Sequence, residues 1–224
     1  NVADFKKLTD QKIKEIVGRG KVPILCGGTG FYIDTVTKNL SLPEVPPNKI
    51  LREKLEKQSV EKLFAQLQKI DPLRAQTIDK HNKVRIVRAI EIAKAIGKVP
   101  SLDTDYKSTY KTLYIGISWE QDILKERIYK RLLQRIKKGM IKEVESLHEQ
   151  GLSWKRMHAL GLEYRYIALF LQKKLSKSEI IDKLNIEICH YAKRQMTWFK
   201  KNKDIVWVKG EKIRIPNIIQ KFLK

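Results

Sequence analysis

At 224 residues the chain is long enough to bury a proper core, as one domain or as one domain with a modest insertion. Its apolar fraction of 42%, with 11 Gly and 7 Pro, excludes a disordered or collagen-like chain and favours a helix-rich fold. Lys and Arg number 47 against 25 Asp and Glu, and the surplus of +22 attracts polyanions, nucleic acid first among them; a solvated Lys-rich surface is the alternative.

Cys26 and Cys189 lie far apart in apolar settings and read as buried thiols of a reducing compartment, not as a disulfide framework. His81, His148, His158 and His190 show no metal-ligand spacing, so no structural zinc is expected. No apolar run approaches membrane-spanning length and no signal peptide opens the chain, so the expected setting is the cytoplasm, with no membrane partner.

The chain opens on Asn1 rather than Met and enters a helical pattern at Val2, Phe5, Leu8, Ile13, Ile16 and Val17. That helix ends at Gly18-Arg19-Gly20 and feeds an apolar strand over 22–26. A helix leading into a buried strand is the second half of a βαβ unit, so the expectation is a chain that lacks its N-terminal part. The strand runs into Gly27-Gly28-Thr29-Gly30, a turn that exposes backbone N–H groups and one hydroxyl where α/β proteins place ligands.

A short helix over 31–37 follows, then a linker over 42–47 stiffened by Pro43, Pro46 and Pro47. Asn48 and Ser59 start helices over 48–58 and 59–70, the second with Leu63, Phe64 and Leu67 on one face. Asp71-Pro72 opens a further turn of helix, and Asn82 starts an amphipathic helix over 82–96 that Gly97 closes. On that helix Val84, Val87 and Ile90 are expected to pack while Lys83, Arg85 and Arg88 project; pairing of Arg88 with Glu91 is the alternative for that residue.

Residues 99–109 read as a polar loop and 112–118 as a second, uniformly apolar strand. A long helix over 121–150, broken near Gly139, helices near 163–173 and 176–201, and a third strand over 204–208 complete the chain. The outline is an α/β core whose strands bracket a helical insertion.

Two faces carry chemistry. Near residue 190, Ile188, Ala192, Met196 and Phe199 fall at helical spacing and should be buried, while His190, Lys193, Arg194, Thr197 and Lys201 share the opposite side beside Gln195 and Trp198. Donors and aromatics among cations suit RNA phosphates, 2′-hydroxyls and unstacked bases, whereas plain solvation is served by Lys and Glu. Arg127, Arg131, Arg135 and Lys138 form a second stripe for which Glu126 and Glu143 are too few, leaving an anionic ligand or solvent to screen it.

The segments 23–32, 82–91, 127–144, 159–161 and 192–199, above all the Lys-Arg-Gln-Met-Thr-Trp-Phe run of 193–199, together resemble the tRNA dimethylallyltransferase (tRNA isopentenyltransferase) family. The resemblance implies an α/β, P-loop-type parallel-sheet core, its N-terminal strands missing here, over 1–45 and 111–224, with a helical insertion over 46–110 that binds the anticodon arm. It implies transfer of a dimethylallyl group from dimethylallyl diphosphate to N6 of the adenine 3′ of the anticodon in tRNA, by a monomer using Mg²⁺. The adenine is flipped out of the anticodon loop into a channel before it reacts.

Position by position, Thr29 would line the channel as the catalytic residue, and Arg127 and Arg131 would lie towards the diphosphate. tRNA would be bound by Arg52, by Val84, Arg85, Ile86, Val87 and Arg88, and by His158, Ala159, Leu160, Gly161, Leu162 and Glu163. Lys193, Arg194, Gln195, Met196, Thr197, Trp198, Phe199 and Lys200 would complete that surface. The family's Gly-x-Thr-x-x-Gly-Lys-[Ser/Thr] loop does not occur in these 224 residues, and neither does the carboxylate that follows it. The expectation is a truncated enzyme, inactive alone; a non-catalytic tRNA-binding protein and a P-loop kinase relative are the alternatives.

Overall fold

The computed structural model describes residues 1–100, 108–210 and 215–223, so residues 101–107 of the expected 99–109 loop lie outside the described residues. The chain divides into two compact units, Asn1–Leu25 with Phe31–Tyr110, and Cys26–Gly30 with Lys111–Lys224.

In the first unit, helix α1 (Val2–Gly18) starts at Asn1, whose side chain accepts the Ala3 and Asp4 N–H groups while the Asp4 carboxylate reaches back. None of its residues is buried. Phe5 meets Tyr32 of α2 (Gly30–Thr37) with ring centroids 4.9 Å apart. The next four helices begin where the sequence predicts: α3 (Lys49–Glu56) at Asn48, α4 (Val60–Ile70) at Ser59, α5 (Pro72–Thr77) at Asp71 and α6 (Lys83–Ile96) at Asn82. Each cap side chain accepts one of the N–H groups that the first turn leaves unpaired.

Leu55, Leu63, Leu67, Ile86, Val87 and Ile90 interlock as the core of this unit. Burying each such side chain contributes about 1.5–3 kcal/mol. Val84 does not pack as expected; it is 79% exposed, and Ile86 takes the buried position instead. Nor does Lys83 project freely. Its ammonium donates to the Glu56 and Gln58 carbonyls at 2.7 and 2.6 Å, closing the carboxyl end of α3.

The expected strand over 22–26 is absent. These residues are extended, but no described segment offers them a hydrogen-bonded ladder, and Ile24 is 83% exposed. A strand is defined by its neighbour as much as by its own composition. Cys26, expected to be buried, is exposed for the same reason, and Cys189 is half-buried; both thiols are free.

The second unit is built on strand β1 (Tyr114–Ser118) and strand β2 (Ile205–Lys209), which pair in parallel from Tyr114↔Ile205 to Ser118↔Lys209. Between them run α7 (Gln121–Lys137), α8 (Met140–Glu149), α9 (Trp154–Leu160), α10 (Leu162–Leu171) and α11 (Lys177–Phe199), and α12 (Ile215–Leu223) follows. Gly139, at φ 99°, separates α7 from α8 where a break is expected. Helices α9 and α12 are not among the elements expected from the sequence. Leu132, Met140, Met157, Ile167, Ile180 and Leu184 form the core of this unit.

β1 is not uniformly buried, because a two-stranded sheet leaves part of each strand uncovered; Ile117 is exposed. The architecture is a helix-rich α/β fold with a small parallel sheet. No helix among the described residues is long and apolar enough to cross a membrane.

Candidate nucleic-acid interface

Helix α11 is fixed at its start by Ser176 and Glu179, which cap it reciprocally, and along its first turns by Ile180 and Leu184 in the core. Further on, Ile188, Ala192, Met196 and Phe199 are half-buried rather than buried as expected, because the described part of the unit covers this end of the helix incompletely. The opposite side is exposed as the spacing predicts, at His190, Lys193, Arg194, Thr197 and Lys201, and Lys200 is exposed as well. The Arg194 guanidinium sits over the Tyr191 ring at 5.7 Å.

The Gly turn packs directly on this helix. Gln195 Nε2 donates to the Gly28 carbonyl at 3.0 Å. A Cβ on Gly28 would run into the Gln195 amide, and one on Gly30 into the Trp198 indole, so both positions need the missing side chain for space. Thr29, between them, is exposed, and its hydroxyl makes no hydrogen bond among the described residues. Two motifs far apart in sequence thus meet: Gln195 and Trp198 hold the turn, and the turn presents Thr29. Met196 and Phe199 of the same helix are half-buried.

On α7, acidic partners sort the cations. Asp122 pairs with Lys125 at 3.1 Å, Glu126 with Lys130 at 2.5 Å, and Glu163 of α10 with Arg135. Arg127 and Arg131 remain without an ion pair among the described residues, and both are exposed. Arg127 stacks over Trp119 at 4.0 Å. Trp119 also lines a cavity of about 130 Å³ with Ser118 and Lys209, at the carboxyl ends of both strands, where open α/β sheets receive ligands.

The segment 158–163 joins two helices. His158, half-buried, and Ala159 and Leu160, both exposed, finish α9, and Leu162 and Glu163 begin α10. The joint is Gly161 at φ 78°, ψ −168°, a conformation essentially reserved for glycine, followed by Leu162 at φ 35°. Three contacts hold it: Arg165 Nε donates to the His158 carbonyl at 3.1 Å, Glu163 pairs with Arg135, and the Tyr164 hydroxyl donates to Glu143 at 3.1 Å. That Glu143 bond, with burial, raises the Tyr164 phenol above its ordinary range. The sequence reading found too little acid near the Arg stripe because Glu163 reaches it from another helix.

In the first unit Arg52 and Arg88 converge on one carboxylate. Glu91 Oε1 accepts Arg52 Nε at 2.9 Å and the Asn48 N–H at 2.7 Å, and Oε2 accepts Arg52 Nη2 at 2.6 Å and Arg88. The alternative reading of Arg88 holds, and Arg52 joins it. Burial pushes the Glu91 carboxyl up, but Arg52, the Asn48 N–H and Arg88 outweigh it and hold the pKa at about 2. Arg85 and Val84 are exposed, whereas Ile86 and Val87 lie in the core and shape the helix rather than offer side chains. A Glu flanked by Ile90 and Ile92, three residues after an Arg, is the signal that marks this hub in the sequence.

The helix-rich α/β fold, with a small parallel sheet and a glycine turn clamped on a basic helix, defines the class of protein. Residues 1–202 match the family model described as IPP transferase. A tRNA dimethylallyltransferase 1 from Syntrophus aciditrophicus (strain SB) is 40% identical over 215 residues, covering 94% of this chain and 70% of the relative. The crystal structure of the full-length tRNA isopentenylpyrophosphate transferase from Bacillus halodurans is 31% identical, with a TM-score of 0.66, over 100% of this chain and 72% of that one. A eukaryotic dimethylallyltransferase acting on tRNA shares the fold at a TM-score of 0.74 and 22% identity, over 93% of this chain and 56% of its own. The chain belongs to the IPP transferase family, prenyltransferases whose named relatives are tRNA dimethylallyltransferases.

Proposed function

We propose that this chain serves the transfer of a dimethylallyl group from dimethylallyl diphosphate to N6 of the adenine 3′ of the anticodon in tRNA, giving isopentenyladenosine. The observation that carries this reading is the clamped turn: Gln195 and Trp198 of the basic helix α11 fix Gly28 and Gly30, and the exposed Thr29 hydroxyl between them makes no hydrogen bond among the described residues. In the reaction N6 attacks C1 of the allyl group; the C1–N6 bond forms, the C1–O bond breaks, diphosphate leaves and N6 loses a proton. Thr29 orients the flipped adenine, and the uncompensated charges of Arg127 and Arg131 face the leaving diphosphate. Lys193, Arg194 and Lys200 bind phosphates of the anticodon arm, with Arg52, Arg85 and Arg88 as contacts on the insertion.

The residues named here do not fit the Mg²⁺ that the family implies. Arg127 and Arg131 are cations, and no group of three or more His, Cys, Asp or Glu side chains comes together among the described residues. No step is assigned to it.

The test is transfer of labelled dimethylallyl from its diphosphate to an anticodon stem–loop, with Mg²⁺ in the buffer. Because the 224 residues contain no Gly-Lys-Ser or Gly-Lys-Thr, the chain alone is expected to bind the stem–loop with little or no product. Product is expected once a P-loop segment is joined upstream. In that form Thr29→Ala should slow transfer by about 10- to 100-fold with less effect on affinity, on the scale of one positioned polar group. Binding without product in either form makes the chain a tRNA-binding protein.

The helix face is tested separately. Lys193→Ala with Arg194→Ala should weaken stem–loop binding and lower the slope of log K against log salt by about 2, roughly one per phosphate contact. An unchanged slope removes α11 from the RNA surface.

A further inference from the structure

Glu91 is 2% exposed and lies between Ile90 and Ile92, both buried. A carboxylate at that depth is costly unless its oxygens are fully partnered. Its partners come from two helices: the Asn48 N–H at the start of α3 and Arg52 one turn on, and Arg88 from α6 itself. Arg88 Nη2 extends the network to the Val45 carbonyl in the Pro linker at 2.9 Å. Two guanidiniums on one carboxylate leave one positive charge, carried on side chains that are 36% and 35% exposed. Without Glu91 the two arginines repel each other and regain their rotamer freedom.

Resting on the RNA-binding reading above, we propose that Glu91 is a positioning residue for RNA recognition. It holds Arg52 and Arg88 side by side in one orientation, so that the pair meets a stretch of stem–loop phosphate backbone as a preformed surface. The buried carboxylate sets geometry, and the exposed edges of the guanidiniums make the contact.

Charge and geometry predict opposite signs for Glu91→Gln. The substitution adds one positive charge, so attraction alone gives tighter RNA binding and a steeper salt dependence. Loss of positioning gives about tenfold weaker binding of the anticodon stem–loop and a slope shallower by about one. Glu91→Asp keeps both arginines and the net charge of the parent chain but shortens the carboxylate's reach, so charge alone predicts unchanged binding and lost positioning predicts weaker binding. Leu63→Ala, which loosens the same core away from the cluster, should lower the melting temperature and leave affinity and slope unchanged.

Circular dichroism establishes that each variant is folded, and if Glu91→Gln does not fold, Glu91→Asp decides between charge and positioning. Unchanged or tighter binding by a folded variant overturns the inference and leaves the RNA-binding reading standing. An unsubstituted chain with no affinity for the stem–loop overturns that reading and this inference together, and it is measured before any variant.

Discussion

Lowering the pH from 4.5 to about 2 is expected to remove up to about 3 kcal/mol of stability from the first unit. The unfolded chain titrates Glu91 near 4.5, whereas the folded unit holds it at about 2. The folded state therefore favours the carboxylate. The contribution is complete above 4.5 and fades as the pH falls through 2. Acid titration followed by circular dichroism should show the loss in the parent chain and a much flatter profile in Glu91→Gln over the same window. Identical profiles would mean that the acid acts on other carboxylates. At neutral pH the same substitution should also destabilise the unit, by less than loss of a fully buried pair would, since both guanidiniums lose their counter-charge but stay about a third exposed to water.

Gly30→Ala is expected to cost about 1–3 kcal/mol and to displace the turn from α11, because the new methyl group lands inside the Trp198 indole. The ring cannot simply retreat, since its root atom Cγ is among those met. Stem–loop binding should fall with the displacement, and Trp fluorescence should report the moved indole. Trp198→Ala in the same chain makes room for the methyl group, so the double variant should be more stable than the sum of the single changes implies. Strict additivity would show that the turn does not rest on the indole.

What the sequence makes legible is local. Asn48, Ser59, Asp71 and Asn82 cap their helices through the N–H group three residues on, so each start is readable from a short window. The segment 22–26 has the composition of a strand, yet strand formation depends on a neighbour that composition cannot supply. Val84 and Ile86 lie about 200° apart around the helix, so only one of them can share the buried face with Val87 and Ile90, and Ile86 does.

The functional groups are legible one at a time and not as pairs. Thr29, Gln195 and Trp198 each stand out, but only the fold brings Gly28 to Gln195. Glu163 on Arg135 and Glu91 on Arg52 likewise join residues from different helices, beyond the reach of i+3 and i+4 reasoning.

The parallel pairing of Tyr114 with Ile205 also sets an order of events during synthesis. A ribosome adding about 5–20 residues per second needs on the order of ten seconds to pass from β1 to β2. Throughout that interval β2, which β1 pairs with among the described residues, is not yet made, while α7 to α11 form and close around Leu132 and Leu184. The helical half of this unit matures first, and the small sheet is the seal placed on it last.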